Sequence, residues 1–266
     1  MTGIPLPASV AELVDLIAAM PGTVAVVLGG SRARSSDDAM SDWDLGLYYR
    51  RDIDLSALAT RGVVHPPGSW GRVMNGGAWL DCDGLKVDVL LRDLEVVEQW
   101  TGRAETGEFE VDALLGYVAG VPTYMLTAER ASCLPIYGQV TAVPYPQALV
   151  ASAPPRWRFC RSFSLEYARM HARRGNHAAT IAQAAKAVIE EGHAVLCERA
   201  EWVCNEKRLI ESAGLGGVQR LFAHVPTDAS ELEQWVDQVA QALEASSSGG
   251  FRAAATHPAT AGSETD

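Results

Sequence analysis

Hydrophobic and polar residues follow different patterns in the two halves of the chain. Residues 23–30 form a continuous apolar run that ends at two glycines, which is typical of a strand buried on both faces. Residues 42–50 and 85–93 alternate between apolar and polar positions, as neighbouring strands of one sheet do. From about residue 150 to about residue 244, apolar positions recur at helical spacing. The pattern predicts an α+β protein, in which a small mixed β-sheet with flanking helices is followed by an α-helical bundle.

Breaks in these patterns predict where the domains begin and end. Four prolines between residues 144 and 155 interrupt a stretch with little regular pattern, so we place the domain boundary there. The predicted sheet domain covers residues 1–147, and the predicted helical domain covers residues 148–245. Residues 246–266 are rich in Ser, Gly, Ala and Thr and offer little apolar surface to bury, so they are predicted to form a disordered tail.

Composition and charge limit the partners and the cellular compartment that we expect for the protein. The 266 residues include 22 Lys and Arg against 33 Asp and Glu, and the net charge of -11 disfavours nonspecific binding to nucleic acids. The five cysteines match neither a disulfide framework nor a zinc motif, and the six histidines lack metal-site spacing and are predicted to be surface or capping residues. The first residues lack the basic region of a signal peptide, and no run reaches the roughly 18 apolar residues of a membrane helix. We therefore expect a cytoplasmic protein with no membrane partner.

The segment that follows the first predicted strand carries the strongest candidate chemistry. Residues 29–31 are Gly-Gly-Ser, and ten residues later Asp42 and Asp44 open the next predicted strand. Side chains at positions i and i+2 of a strand share a face, so these two carboxylates repel each other unless a cation lies between them. Carboxylate oxygens are ligands that Mg²⁺ prefers, and a Gly-Gly-Ser turn lets backbone N–H groups and the Ser31 hydroxyl approach an anion closely.

Further charged residues extend this candidate site. Asp88 lies in the middle of the predicted strand 85–93, on the face opposite its valines, where an ionisable group is costly to bury without a partner. Arg32 and Arg34 follow the Gly-Gly-Ser turn and can donate charge-assisted hydrogen bonds to phosphates. An Asp-x-Asp pair or a Gly-Gly turn is common by itself, whereas all of these features in this order favour a metal and phosphate site.

This order of motifs resembles the nucleotidyltransferase superfamily, which includes DNA polymerase β and the antibiotic-modifying adenylyltransferases. The mark of that family is G-[GS]-S, a spacer of about ten residues, [DE]-x-[DE] and a later third carboxylate, and residues 22–91 match it. The run Ser-Arg-Ala-Arg at 31–34 is similar to the small bacterial, aminoglycoside-modifying members, although Ser35 stands where they often have Gly. The resemblance implies that the sheet domain is a nucleotidyltransferase domain.

The resemblance also assigns roles to individual residues. It implies that three carboxylates hold two Mg²⁺ ions and carry out catalysis: Asp42, Asp44 and Asp88. It implies that a second set binds the nucleotide: Gly30, Ser31, Arg34 and Lys207. Lys207 belongs to a segment that is similar to one whose lysine reaches the triphosphate, and the alternative is a solvated surface lysine. Glu190 and Glu191 in the second long helix either bind a substrate ammonium or are exposed helix formers.

The implied reaction is Mg²⁺-dependent transfer of a nucleoside monophosphate to a hydroxyl of a small molecule. By analogy the donor is ATP, the transferred group is AMP, and the acceptor is an aminoglycoside-type antibiotic, which would make the activity one of antibiotic resistance. Asp88 or a glutamate of the helical domain would act as general base. The predicted partners are thus an NTP and a small hydroxyl-bearing acceptor.

Two alternatives remain open at this point. The acceptor could be a protein or RNA partner, as in the minimal nucleotidyltransferase antitoxins, whose catalytic chains are typically shorter and lack a fused helical domain. The sheet could also be a catalytically inactive nucleotide-binding module, although three intact carboxylates argue against decay.

Overall fold

The computed structural model describes residues 5–33 and 42–253, with side chains as far as residue 246. The chain divides into two compact units. The division falls after Ser152, close to the predicted boundary, and Ala200–Cys204 returns to the first unit. Among the described residues, no helix has both the length and the apolar character that crossing a lipid bilayer requires.

The first unit contains the β-sheet. Its strands are β1 (Thr23–Leu28), β2 (Trp43–Tyr49), β3 (Gly62–His65), β4 (Gly76–Cys82), β5 (Leu85–Asp93), β6 (Val111–Asp112), β7 (Val121–Pro122) and β8 (Leu134–Tyr137). Its helices are α1 (Ala8–Ala18), α2 (Gly30–Ala33), α3 (Ser56–Ala59), α4 (Gly71–Met74), α5 (Leu94–Glu105) and α6 (Met125–Ser132).

The second unit is helical. Helix α7 (Gln147–Ala172) begins in the first unit and continues into the second. The other elements are α8 (His177–Glu198), α9 (Leu209–Ser212), α10 (Gly216–Gln219), a 3₁₀ turn (Arg220–Ala223) and α11 (Ala229–Ala253).

Six strands form one mixed sheet in the order β3-β4-β5-β2-β1-β8, and β6 pairs with β7 separately. Strands β2 and β5 are parallel, whereas the other neighbouring pairs in the large sheet are antiparallel. Together with the helical second unit, this mixed sheet confirms the predicted α+β class.

The large sheet is covered on both faces, which explains why β1 is continuously apolar. One face packs against α1 in a core of mainly aliphatic side chains that includes Val10, Leu13, Ile17, Leu45, Leu47, Val87 and Val89. The other face packs in a core that includes Val27, Tyr48, Val73, Trp100 and Met125. Because this second core covers only part of its face, the strand ends that carry Asp44 and Asp88 stay partly exposed.

Strands β3, β4 and β8 were not predicted from the sequence pattern. β3 and β8 are short edge strands with several exposed positions, so their apolar alternation is weak. β4 begins with Gly76 and Gly77, which sequence patterns usually assign to a turn. Gly77 is required here by packing, because a Cβ atom on it would lie 2.6 Å from the ring of Trp70.

The end of the chain differs in part from the prediction. Helix α11 continues to Ala253, so residues 246–253 extend this helix instead of starting a disordered tail. The remaining part of the predicted tail, residues 254–266, lies outside the described residues.

Two glutamates of α8 are buried and ion-paired, so the expectation that both are exposed is wrong. Glu191 is fully buried and accepts hydrogen bonds from Arg161 Nη1 at 2.7 Å and from Arg158 Nε at 3.3 Å. Glu190 accepts from Lys186 Nζ at 2.5 Å, and its other oxygen accepts from a buried serine hydroxyl of α7. These contacts compensate the loss of hydration that burial of a carboxylate imposes.

His193, on the same helix, is buried as well, contrary to the expectation of a surface or capping histidine. Its ring stacks on Trp157 with the ring centroids 4.4 Å apart and the planes 11° from parallel. Neither ring nitrogen has a hydrogen-bond partner. Burial therefore lowers the pKa of His193 to about 3, and the ring is neutral at physiological pH.

Replacing His193 should reduce the loss of folding stability at acidic pH. The unfolded chain binds a proton at this position below about pH 6.5, whereas the folded chain stays neutral, so stability is lost as the pH falls from about 6.5 towards 3. In His193→Phe, the drop in unfolding free energy between pH 7 and pH 5 should be smaller by roughly 2 kcal/mol than in the wild type. Urea titrations of the full chain followed by circular dichroism measure this difference.

The matched control for this experiment is His224→Gln, since His224 is exposed. This variant should keep the pH dependence of the wild type. An unchanged pH dependence in His193→Phe would contradict the assignment of a buried, neutral imidazole.

Candidate active site

Asp44 and Asp88 lie directly opposite each other on the parallel strands β2 and β5. In a parallel pair, residues in register point to the same face of the sheet. Both aspartates are partly exposed, whereas the residues that flank them along their strands are buried: Trp43, Leu45, Val87 and Val89. The structure thus brings together two of the three predicted carboxylates on one accessible patch of the sheet.

The Gly-Gly turn after β1 lies against the Asp44 carboxylate. The backbone N–H of Gly29 donates a hydrogen bond to the carbonyl oxygen of Asp44 at 2.8 Å. Gly30 has a φ of 64°, and a Cβ atom on it would lie 1.7 Å from Oδ2 of Asp44. Glycine is therefore required at position 30 by both backbone conformation and space. Ser31 follows Gly30 in the single turn of α2.

Asp42 and Arg32 contact each other at the start of β2. Asp42 immediately precedes β2 and is exposed. Arg32 donates from Nε to the backbone carbonyl of Asp42 at 3.2 Å, and its guanidinium lies 4.4 Å from the centre of the Trp43 ring. These contacts give Arg32 a role in fixing the start of β2. Arg34 lies outside the described residues, and its role in phosphate binding stays a prediction.

The donor set at this patch suits a hard divalent cation. Within residues 5–33 and 42–253, no group of three or more His, Cys, Asp or Glu side chains is arranged to hold a metal ion. Mg²⁺, however, is commonly bound by one or two carboxylates, with water and substrate phosphates completing its six ligands. Asp44 and Asp88 can supply such a pair, and the absence of a side chain at position 30 lets the Asp44 carboxylate lie against the turn.

Lys207 belongs to the second unit. Its side chain is exposed, and its backbone N–H donates to Oδ1 of Asn205 at 3.0 Å. Together with Arg220, it lines a cavity of about 530 Å³ that also has Glu206 and Glu211 in its wall. Its role as a ligand of the triphosphate stays a prediction.

Sequence reasoning missed an aromatic residue beside the carboxylates. Trp79 on β4 pairs in register with Asp88 on β5, and its side chain is 52% exposed. The signal is present in the sequence as alternation along β4, where Ala78 and Leu80 are buried on either side of Trp79. The two glycines that open β4 concealed this pattern.

Comparisons with known proteins find similarity at the level of structure. No protein-family model matches the chain, and no curated protein sequence matches it. Among solved structures, the chain is similar to a nucleotidyltransferase-like protein from Exiguobacterium sibiricum, with 12% sequence identity and a TM-score of 0.43. The similarity covers 92% of this chain and 76% of that chain.

Alanine at position 30 should weaken metal binding more than it weakens folding stability. The added methyl group must push the Asp44 carboxylate aside, so Gly30→Ala should lower the affinity for a divalent ion by about 10- to 100-fold. Electron paramagnetic resonance of free Mn²⁺, recorded with a nonhydrolysable ATP analogue present, measures this affinity.

Gly84→Ala is the matched control, because Gly84 also has a positive φ but a Cβ atom there would meet nothing within 4 Å. It should cost a comparable amount of folding free energy and keep the Mn²⁺ affinity of the wild type. Wild-type affinity in Gly30→Ala would show that Asp44 is not a metal ligand.

Proposed function

We propose that the protein is a Mg²⁺-dependent nucleotidyltransferase that transfers AMP from ATP to a hydroxyl group of a small molecule. The observation that carries this proposal is the in-register pair of Asp44 and Asp88, placed on one face of the sheet directly beside the Gly30 turn. This arrangement brings a carboxylate pair and a phosphate-binding turn to the same point, as transfer of a phosphoryl-linked group requires.

The carboxylates and the Gly30 turn would have different functions in the reaction. Asp44 and Asp88, together with Asp42, would hold Mg²⁺, which when bound offsets the charge of the phosphates and polarises the bond to the leaving group. The backbone N–H groups around Gly30 and the hydroxyl of Ser31 would bind phosphate oxygens. The acceptor hydroxyl would then attack the α-phosphorus in line with the departing pyrophosphate, and the main contribution to catalysis would be correct positioning.

Asp88 is the favoured general base. The sequence left open whether Asp88 or a glutamate of the helical domain accepts the proton of the acceptor hydroxyl. Glu190 and Glu191 are both buried and paired with cations of their own unit, which restricts their access to a substrate. Asp88 is partly exposed on the same face as Asp44, so it can reach the attacking oxygen.

The proposal also covers the chemical class of the acceptor. The net charge of -11 suits a polycationic acceptor such as an aminoglycoside. Such a substrate would make the protein an antibiotic-modifying enzyme of the cytoplasm.

Neutralising either central carboxylate should abolish transfer. Asp44→Asn and Asp88→Asn keep side-chain volume but remove the charge that binds the metal, so kcat should fall by about 100-fold or more while the fold is retained. Pyrophosphate release with ATP, Mg²⁺ and a panel of aminoglycosides measures turnover, mass spectrometry identifies the adenylylated product, and circular dichroism checks the fold.

Asp83→Asn is the control, because it removes the same charge from an exposed turn, and asparagine tolerates the positive φ of 55° there. It should turn over like the wild type. Near wild-type turnover in Asp44→Asn would contradict the proposal, and Mg²⁺-dependent ATP binding without transfer to any acceptor would favour a nucleotide-binding module instead.

A further inference from the structure

We propose that Trp79 forms the binding surface for the acceptor, and that the acceptor presents an apolar ring face next to its reacting hydroxyl. This inference rests on the proposed function and adds to it a residue that determines acceptor specificity.

Trp79 continues the row of site residues across the sheet. Asp44 on β2 is in register with Asp88 on β5, and Asp88 is in register with Trp79 on β4. The three side chains therefore project from the same face, on three neighbouring strands spaced about 5 Å apart. Trp79 is next to Asp88, the proposed base, on the side of Asp88 that faces away from Asp44.

The indole of Trp79 is unusually accessible for such a large apolar group. It is 52% exposed, and Val63, its partner on the edge strand β3, is 57% exposed. A tryptophan normally buries most of its large surface, so an indole left open in this position leaves apolar area for a ligand to cover.

Two further rings hold the indole in place. The His65 ring lies 4.4 Å from the Trp79 ring in an edge contact, and the Trp70 ring lies 5.7 Å away. Trp70 in turn occupies the space above Gly77, where a Cβ atom would collide with it. We call His65, Trp70 and Trp79 the aromatic cluster. Because its rings support each other, the Trp79 surface is organised before a ligand binds, which reduces the entropic cost of binding.

The order of strands indicates which substrate meets this cluster. The Gly30 turn lies on the β1 side of Asp44, and the aromatic cluster lies on the β4 side of Asp88. In phosphoryl transfer the attacking and leaving oxygens are roughly in line on opposite sides of the phosphorus. A nucleotide whose phosphates bind at the Gly30 turn directs its pyrophosphate towards β1, so the acceptor approaches from β4 and meets Trp79.

The chemistry of an indole face selects a particular kind of acceptor. It offers a flat, apolar surface that stacks on another ring, whereas a flexible open-chain alcohol gains little from it. The carboxylate of Asp88 lies next to this surface and can accept the proton of a hydroxyl carried by the stacked ring. The matching ligand is a hydroxyl-bearing ring compound with one apolar face.

The test uses 4-nitrophenyl β-D-glucopyranoside as the probe, since it combines a flat ring with hydroxyl groups. Calorimetric titration of the full chain should show that Trp79→Ala weakens its binding by about tenfold or more, whereas Trp79→Phe, which keeps a ring, changes it by less than about threefold. Phe159→Ala is the matched control, because Phe159 is another exposed aromatic residue, 68% exposed on α7, and should leave binding unchanged.

Nucleotide binding provides the second readout. The affinity for a nonhydrolysable ATP analogue with Mg²⁺ should be the same in Trp79→Ala as in the wild type. A loss of analogue affinity would mean that the indole holds the nucleobase and would overturn the proposal. Equal probe binding by the wild type and Trp79→Ala, or no binding by either, would also overturn it.

A further measurement distinguishes failure of this proposal from failure of the proposed function. Slow Mg²⁺-dependent conversion of ATP to AMP and pyrophosphate by the wild-type protein, with water as the acceptor, tests nucleotidyl transfer without any ring compound. If that conversion is absent while Trp79-dependent probe binding persists, the ring-binding surface stands and the proposed transfer fails.

Discussion

The parallel pairing of β2 with β5 is the constraint on which the candidate site depends. It sets Asp44 against Asp88, and a shift of one residue in this register would turn Asp88 to the opposite, aliphatic face of the sheet. Buried valines and leucines on the α1 side fix the register, because each of them would leave that core by the same shift. The apolar core thus determines the position of the carboxylates.

Strands β3 and β4 lie in the connection between β2 and β5. Two parallel strands cannot be joined by a tight turn, so the chain between them must cross from one end of the sheet to the other. Residues 50–61, which contain α3, make this crossing, and β3 and β4 then extend the sheet beyond β5 in antiparallel pairing. The connection thereby also provides the aromatic cluster beside Asp88.

The predictions from sequence succeeded where local pattern decides the structure. Strands β1, β2 and β5 followed from apolar runs and alternation, because side-chain direction in a strand depends only on position parity. Pairing partners are a property of the whole chain, so the contact of Trp79 with this row was not predictable. The burial of Glu191 was not predicted, for a similar reason. The arginines that pair with it, Arg158 and Arg161, lie on another helix, about 30 residues away in the sequence.

Gly30 divides the candidate site into a part that tolerates mutation and a part that does not. No other residue at position 30 keeps both the left-handed backbone conformation and the contact with Asp44. Substitutions on that side of the site therefore cannot change which ligand is bound. Strands β3 and β4 carry exposed side chains, Val63 and Trp79 among them. In the proposed enzyme, acceptor preference would therefore diverge by single substitutions along one sheet edge, while the chemistry at the Gly30 side would be preserved. The fold would in this way separate the evolution of specificity from the maintenance of catalysis.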